Sequence, residues 1–178
     1  MSVTRLFYRT RQFWQALWWA PAREDLKQLR STLPPEMMAL FHQLQPGEQA
    51  HSLLVWRRLV DQDEHNPDLL AAALLHDVGK SRFPLRLWER VLIVSLKAFF
   101  PDWATRWGVG AAKGWRRALV VAAQHPTWGA EMARQAGASA RTQELIRRHQ
   151  EKLPCEGTQP GSLEERLLRK LQAVDDES

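Results

Sequence analysis

Asn66-Pro67-Asp68-Leu69-Leu70-Ala71-Ala72-Ala73-Leu74-Leu75-His76-Asp77-Val78-Gly79-Lys80 reads as a short apolar helix with its own start and stop signals. Asn66 suits the cap, Pro67 the first helical position and Asp68 the positive end of the helix dipole. Gly79 is expected to supply a left-handed stop. Leu69, Leu70, Ala73 and Leu74 share one face at helical spacing, which predicts burial. One turn further along that face comes Asp77, with His76 beside it. An imidazole and a carboxylate at the end of a buried helix need partners, because an unpaired buried charge is costly. A divalent metal would serve both groups. A His–Asp hydrogen-bonded pair would serve too, and this stretch alone does not choose between them.

On the N-terminal side, residues 47–60 form a predicted helix in which His51, Leu54, Val55 and Leu59 share a face. His51 is therefore expected on the core side, either as a ligand or as a histidine satisfied by one hydrogen bond. His65, in the polar Asp61–Pro67 connection, reads as a solvated loop residue. Further upstream, a helix restarts after Leu33-Pro34-Pro35 through Met37, Leu40 and Phe41, and His42 on it reads as a surface or packing histidine. Residues 4–20 place Leu6, Phe7, Phe13, Trp14, Leu17 and Trp18 at helical spacing, with Arg5, Arg9 and Arg11 between them. That pattern fits a basic amphipathic helix touching a membrane or a protein partner. It also fits a terminal helix folded onto its own domain. Pro21 closes it and a polar segment, 22–30, follows. Residues 1–30 thus read as an N-terminal basic, aromatic helix and linker, and 31–178 as the helical domain.

On the C-terminal side, Leu85 to Phe100 reads as an apolar helix, and 103–115 is rich in Trp, Gly and basic residues. Residues 115–124 are helical again. Pro126 is expected to break that helix and open a new one ending at Gly137, leaving His125 at the junction. Ser139 caps the next predicted helix, where Leu145, Ile146 and His149 share a face with Thr142. Ser162 and Glu165 form the capping box of the last. Leu167, Leu168, Leu171 and Val174 make its apolar stripe, which Asp175 extends by one position. No segment has the period-2 alternation of a strand. The fold class is all-α.

Composition agrees with a helical globular domain: 178 residues, 44% apolar and 25% charged, which leaves room for a sizeable core. The net charge of +5 is compatible with a phosphate-bearing partner, but no nucleic-acid-binding motif accompanies it. The single cysteine, Cys155, rules out an internal disulfide and any Cys-pair zinc motif. With arginines interleaved among the early apolar residues and no apolar run of the roughly 20 residues a bilayer needs, a cytoplasmic location is expected.

His51, His76, Asp77, His125, His149 and Asp175 form a set of four histidines and two aspartates. Five of the six are expected at inward faces or junctions of separate helices, where polar groups without partners cost free energy. Six ligands in a helical bundle suit a two-metal site with one bridging carboxylate. In this order, with Leu74-Leu75-His76-Asp77-Val78-Gly79-Lys80 at its centre, they resemble the H…HD…H…H…D pattern of the HD-domain metal-dependent phosphohydrolase superfamily. The similarity runs over residues 47–178, and His125-Pro126 and Ile146-Arg147-Arg148-His149 belong to it.

The resemblance implies an all-α, HD-domain-like helical bundle. It implies that His51, His76, Asp77 and Asp175 hold one divalent transition metal, iron, manganese or similar. Asp77 would bridge to a second held by His125 and His149, two per chain. Lys80 would neutralise a substrate phosphate, and a metal-bound hydroxide would attack a nucleotide or related phosphoester. Single histidines at the last two His positions are similar to the symmetrical diadenosine-tetraphosphatase branch. The HD-GYP cyclic-dinucleotide phosphodiesterases differ: Arg148 stands before His149, and Leu153-Pro154-Cys155-Glu156-Gly157 follows where they have Gly-Tyr-Pro. A long Trp-rich insertion, 83–115, sets the chain apart from the first branch. The other reading is a non-catalytic HD-like signalling or scaffold module, which the basic, aromatic N-terminus would suit.

Overall fold

The computed structural model describes residues 23–153 and 162–178; the amphipathic helix expected at 4–20 lies outside the described residues. Among these there are nine α-helices and no strand: α1 (Arg23–Thr32), α2 (Pro35–Phe41), α3 (Pro46–Asp61), α4 (Pro67–Leu75), α5 (Leu87–Phe99), α6 (Pro101–Trp107), α7 (Arg117–Gln135), α8 (Ala140–Arg148) and α9 (Leu163–Glu177). None is long and apolar enough to cross a membrane.

The central helix α4 starts as its sequence dictates. Asn66 accepts hydrogen bonds from the backbone N–H groups of Asp68 and Leu69, at 3.0 and 3.1 Å. Asp68 does more than complement the dipole, since its carboxylate also accepts bonds from Ser139, Arg141 and Thr142 at the start of α8. The apolar body of α4, Leu69 and Ala71 to Leu75, is buried. Around it pack α3, α8 and α9, contributing Leu53, Val55, Leu59, Leu145, Ile146, Leu167, Leu168, Leu171 and Val174 to one core. Leu29 of α1, from the polar-looking 22–30 segment, joins that core with Leu33.

Two sequence expectations are overturned here. Gly79 has no positive φ; it lies in a 3-10 turn, Val78–Arg82, that follows α4 after His76 and Asp77. Its lack of a side chain matters for another reason: a Cβ there would sit 2.0 Å from the His125 carbonyl oxygen and 2.7 Å from the Gly129 backbone nitrogen. The turn and α7 therefore cross with backbones in contact. Pro126, for its part, does not break a helix. It lies inside the continuous α7, so His125 is a mid-helix residue. Pro126 removes one backbone donor, but His125, Pro126, Gly129 and Ala130 are all buried, and that packing outweighs the lost hydrogen bond.

Helix α5 is fastened to this bundle by two ion pairs with buried carboxylates. Arg90 meets Glu48 of α3 at 2.8 Å, and Arg117 at the start of α7 meets Glu89. Burial opposes the charge on Glu89, and Arg117 outweighs it, holding the carboxyl below its ordinary range. Removing one partner of such a pair strands the other charge. Arg117→Met is expected to destabilise the fold by about 3 kcal/mol, read as a shift in the chemical-denaturation midpoint.

Candidate metal centre

Asp77 sits between α4 and the 3-10 turn with φ −95° and ψ 0°, in the sparsely populated bridge region where active-site residues recur. Its carboxylate is the centre of the cluster. One oxygen lies 3.2 Å from His125 Nε2 and 3.9 Å from His149 Nε2. The other lies 3.7 Å from His76 Nε2 and accepts a hydrogen bond from Lys80 Nζ. Asp175, at the end of the α9 stripe, shares a 2.8 Å hydrogen bond with His51 Nε2 and lies 3.5 Å from His76 Nε2. All six residues expected from the sequence, and Lys80, are thus brought together.

Three of the rings are oriented in one way. His76 Nδ1 donates to the Ala73 carbonyl at 2.9 Å, His125 Nδ1 to Val121 at 3.1 Å and His149 Nδ1 to Ile146 at 2.7 Å. A carbonyl only accepts, so each Nδ1 carries the proton and each Nε2 presents a bare lone pair to the interior. Backbone carbonyls hold metal-ligating imidazoles in this way. The fold supports the rings further: Gln172 of α9 donates to the carbonyl of His149 at 3.0 Å.

Those lone pairs suit a cation. His125 and His149 face each other Nε2 to Nε2 at 3.3 Å, with an Asp77 oxygen alongside and no proton to share. His76 Nε2 is buried without a hydrogen-bond partner, which a native interior rarely leaves unexplained. Two sets of three donors are close enough for an ion each: His51, His76 and Asp77, and Asp77, His125 and His149. Asp77 is common to both. The first set is the less deeply buried, since the side chains of His51 and of neighbouring Asp175 are 29% and 27% exposed, whereas those of His125 and His149 are 1% and 2% exposed. The residues present therefore fit a pair of divalent ions, with nitrogen and oxygen donors and no thiolate.

Electrostatics prepare the same residues. Burial works against charge on Asp77, yet Lys80, His76 and His125 outweigh it and hold its carboxyl well below the usual carboxylate range. Burial likewise opposes charge on Asp175, and His76 and His51 bring its carboxyl below the ordinary value. Burial lowers His125. It lowers His149 to about 3, with help from His76 and His125. Both carboxylates are ionised and both imidazoles neutral at neutral pH, the protonation state ligands require.

This gives a pH prediction for protein held in chelator. His149 is protonated below about 6.5 in the unfolded chain but only below about 3 in the fold. The unfolded state thus binds more protons across that window, so stability rises with pH and is lost as pH falls. By pH 5 this one imidazole is expected to remove on the order of 2 kcal/mol relative to pH 7, seen as a lower urea midpoint.

Lys97 of α5 is a residue that sequence reasoning passed over. It lies two turns beyond Arg90, on the face of α5 turned toward α3. Lys97 is exposed along part of its side chain, but partial loss of water around its ammonium, then repulsion from Lys80, lower its pKa despite attraction from Asp77. Its only sequence signal is a lone cation in an apolar run.

A family model, HD domain, matches residues 49–176. No curated protein and no solved structure matches the chain. Both three-residue donor sets lie within the matched span. The match covers well over half of the sequence, and the chain belongs to the HD domain family, a superfamily of metal-dependent phosphohydrolases.

Proposed function

We propose that the protein hydrolyses a phosphoester, a nucleotide or a related compound, with two divalent metals. The observation that carries this reading is the Asp77 carboxylate common to two three-residue donor sets. His51, His76, Asp77 and Asp175 would hold one ion; Asp77, His125 and His149 would hold the other. Bound there, such ions supply positive charge against a phosphoryl group and acidify water at neutral pH.

The chain's own residues do the rest. The Nδ1–H bonds to Ala73, Val121 and Ile146 fix three rings before any ligand arrives, so little reorganisation is needed. Lys80, half-buried beside Asp77, presents an ammonium to a phosphoryl oxygen and stabilises the charge that develops there. Lys97, within electrostatic reach of Lys80 and Asp77, adds positive potential beside the donor sets. The burial of His125 and His149 keeps bulk water from that side of the cluster.

The test is hydrolysis of nucleotides, dinucleoside polyphosphates and cyclic dinucleotides by the full chain loaded with manganese or iron. Turnover that chelator abolishes and metal restores is the expected result. No turnover of any of these by metal-loaded protein would overturn the proposal and favour a non-catalytic signalling or scaffold role.

A further inference from the structure

Helix α5 has an outer face unlike that of an ordinary surface helix. At 100° per residue, Leu87, Trp88, Val91, Val94, Ala98 and Phe99 fall on one side with Ser95, and all are exposed. No charged residue interrupts that face; Glu89, Arg90, Leu92, Ile93, Leu96 and Lys97 lie on the other. A soluble helix normally shows the reverse pattern. The feature is local: nine of the ten large apolar side chains that stand exposed among the described residues fall between Leu87 and Trp115.

The surface is continuous and firmly held. Phe100, at the elbow between α5 and α6, contacts Trp103, Trp103 contacts Trp107, and Trp107 meets Trp115 edge-on at 4.8 Å. Arg117 ties the 115–117 segment back to the start of α5 by donating to the Pro84 carbonyl at 2.9 Å and pairing with Glu89. Gly108 lies where a Cβ would be 2.7 Å from that of Ala123 on α7. The apolar residues are therefore displayed by a braced scaffold.

Charge identifies the occupant. Arg86, Lys97, Arg106, Lys113 and Arg116 are exposed in the same segment, against one exposed acid, Asp102. A second copy of the chain would bring like charge against like charge across an isologous contact. Residues 1–23 contain Arg5, Arg9, Arg11 and Arg23 and no acid, so they too lack the complementary sign. Tryptophan and phenylalanine bordered by basic residues, on an exposed helical face, match the interface of an anionic bilayer. We infer that the outer face of α5, with the α6 tryptophans, docks the protein on an anionic lipid surface.

The test is co-sedimentation of the full chain with vesicles of phosphatidylcholine alone or mixed with phosphatidylglycerol. Wild type is expected to sediment with the mixed vesicles at low salt, and to be released by high salt. V91E/V94E places acids on two exposed positions and should reduce the bound fraction by at least about tenfold, with an unchanged thermal midpoint. If that midpoint falls, W103S/W115S removes aromatic anchors instead and should lose binding as well. R5Q/R9Q/R11Q separates the N-terminal arginines from this surface. The inference is overturned by wild type that ignores phosphatidylglycerol, by equal binding to both vesicles, or by V91E/V94E that binds as wild type does. It is equally overturned by a wild-type dimer that V91E/V94E makes monomeric.

Discussion

Asp77→Ala is expected to lower metal-dependent phosphoester hydrolysis by at least about a thousandfold and to leave the chain with little bound metal. No other residue belongs to both donor sets, so this substitution removes a ligand from each at once. His51→Ala or His149→Ala touches one set only, and each should retain part of the metal. Asp77→Asn keeps the shape of the side chain and loses the charge that Lys80 neutralises. It is therefore expected to fold normally and still fail, which separates loss of ligation from loss of structure. Elemental analysis and initial rates on the same preparations check both effects. Wild-type metal content in Asp77→Asn would show that the carboxylate does not bridge.

Gly79→Ala should be nearly as damaging, through the fold. If Gly79 merely ended a helix with a left-handed residue, alanine there would cost roughly 1–2 kcal/mol. The structure sets a harsher condition, because the new methyl would lie 2.0 Å from the His125 carbonyl oxygen and 2.7 Å from the Gly129 nitrogen. Both are main-chain atoms of α7, and neither can move without shifting the helix that carries His125. A loss of about 3–5 kcal/mol is expected, measured by denaturant unfolding in chelator so that metal binding does not mask it. The same displacement would carry His125 away from Asp77, so metal affinity should fall even where the variant folds.

Much of this architecture was legible because local signals and burial pattern agreed. Asn66, Ser139 and Ser162 each accept a backbone N–H bond at the helix start assigned to them. The stripe Leu167, Leu168, Leu171 and Val174 is buried, and it does carry Asp175 toward His51. The six residues of the HD pattern likewise lie together in one cluster. What could not be read are the features set by tertiary packing. Pro126 is a breaker by local rules, and only the buried face around Gly129 keeps α7 continuous. Gly79 serves a close backbone crossing that no neighbouring residue announces. Pro101 and Asp102 mark the start of α6, but nothing in the stretch announces that the rings of Phe100, Trp103, Trp107 and Trp115 pack on one another. Lys97 becomes relevant only when Arg90 has paired with Glu48 and fixed the rotation of α5.

Metal content per chain tests the central claim most directly. The full-length protein, purified without chelator or an affinity-tag metal and reconstituted with manganese or iron, is expected to hold two ions per chain, one for each donor set that Asp77 joins. One ion per chain, or none, would contradict the shared-carboxylate centre and the hydrolytic chemistry built on it.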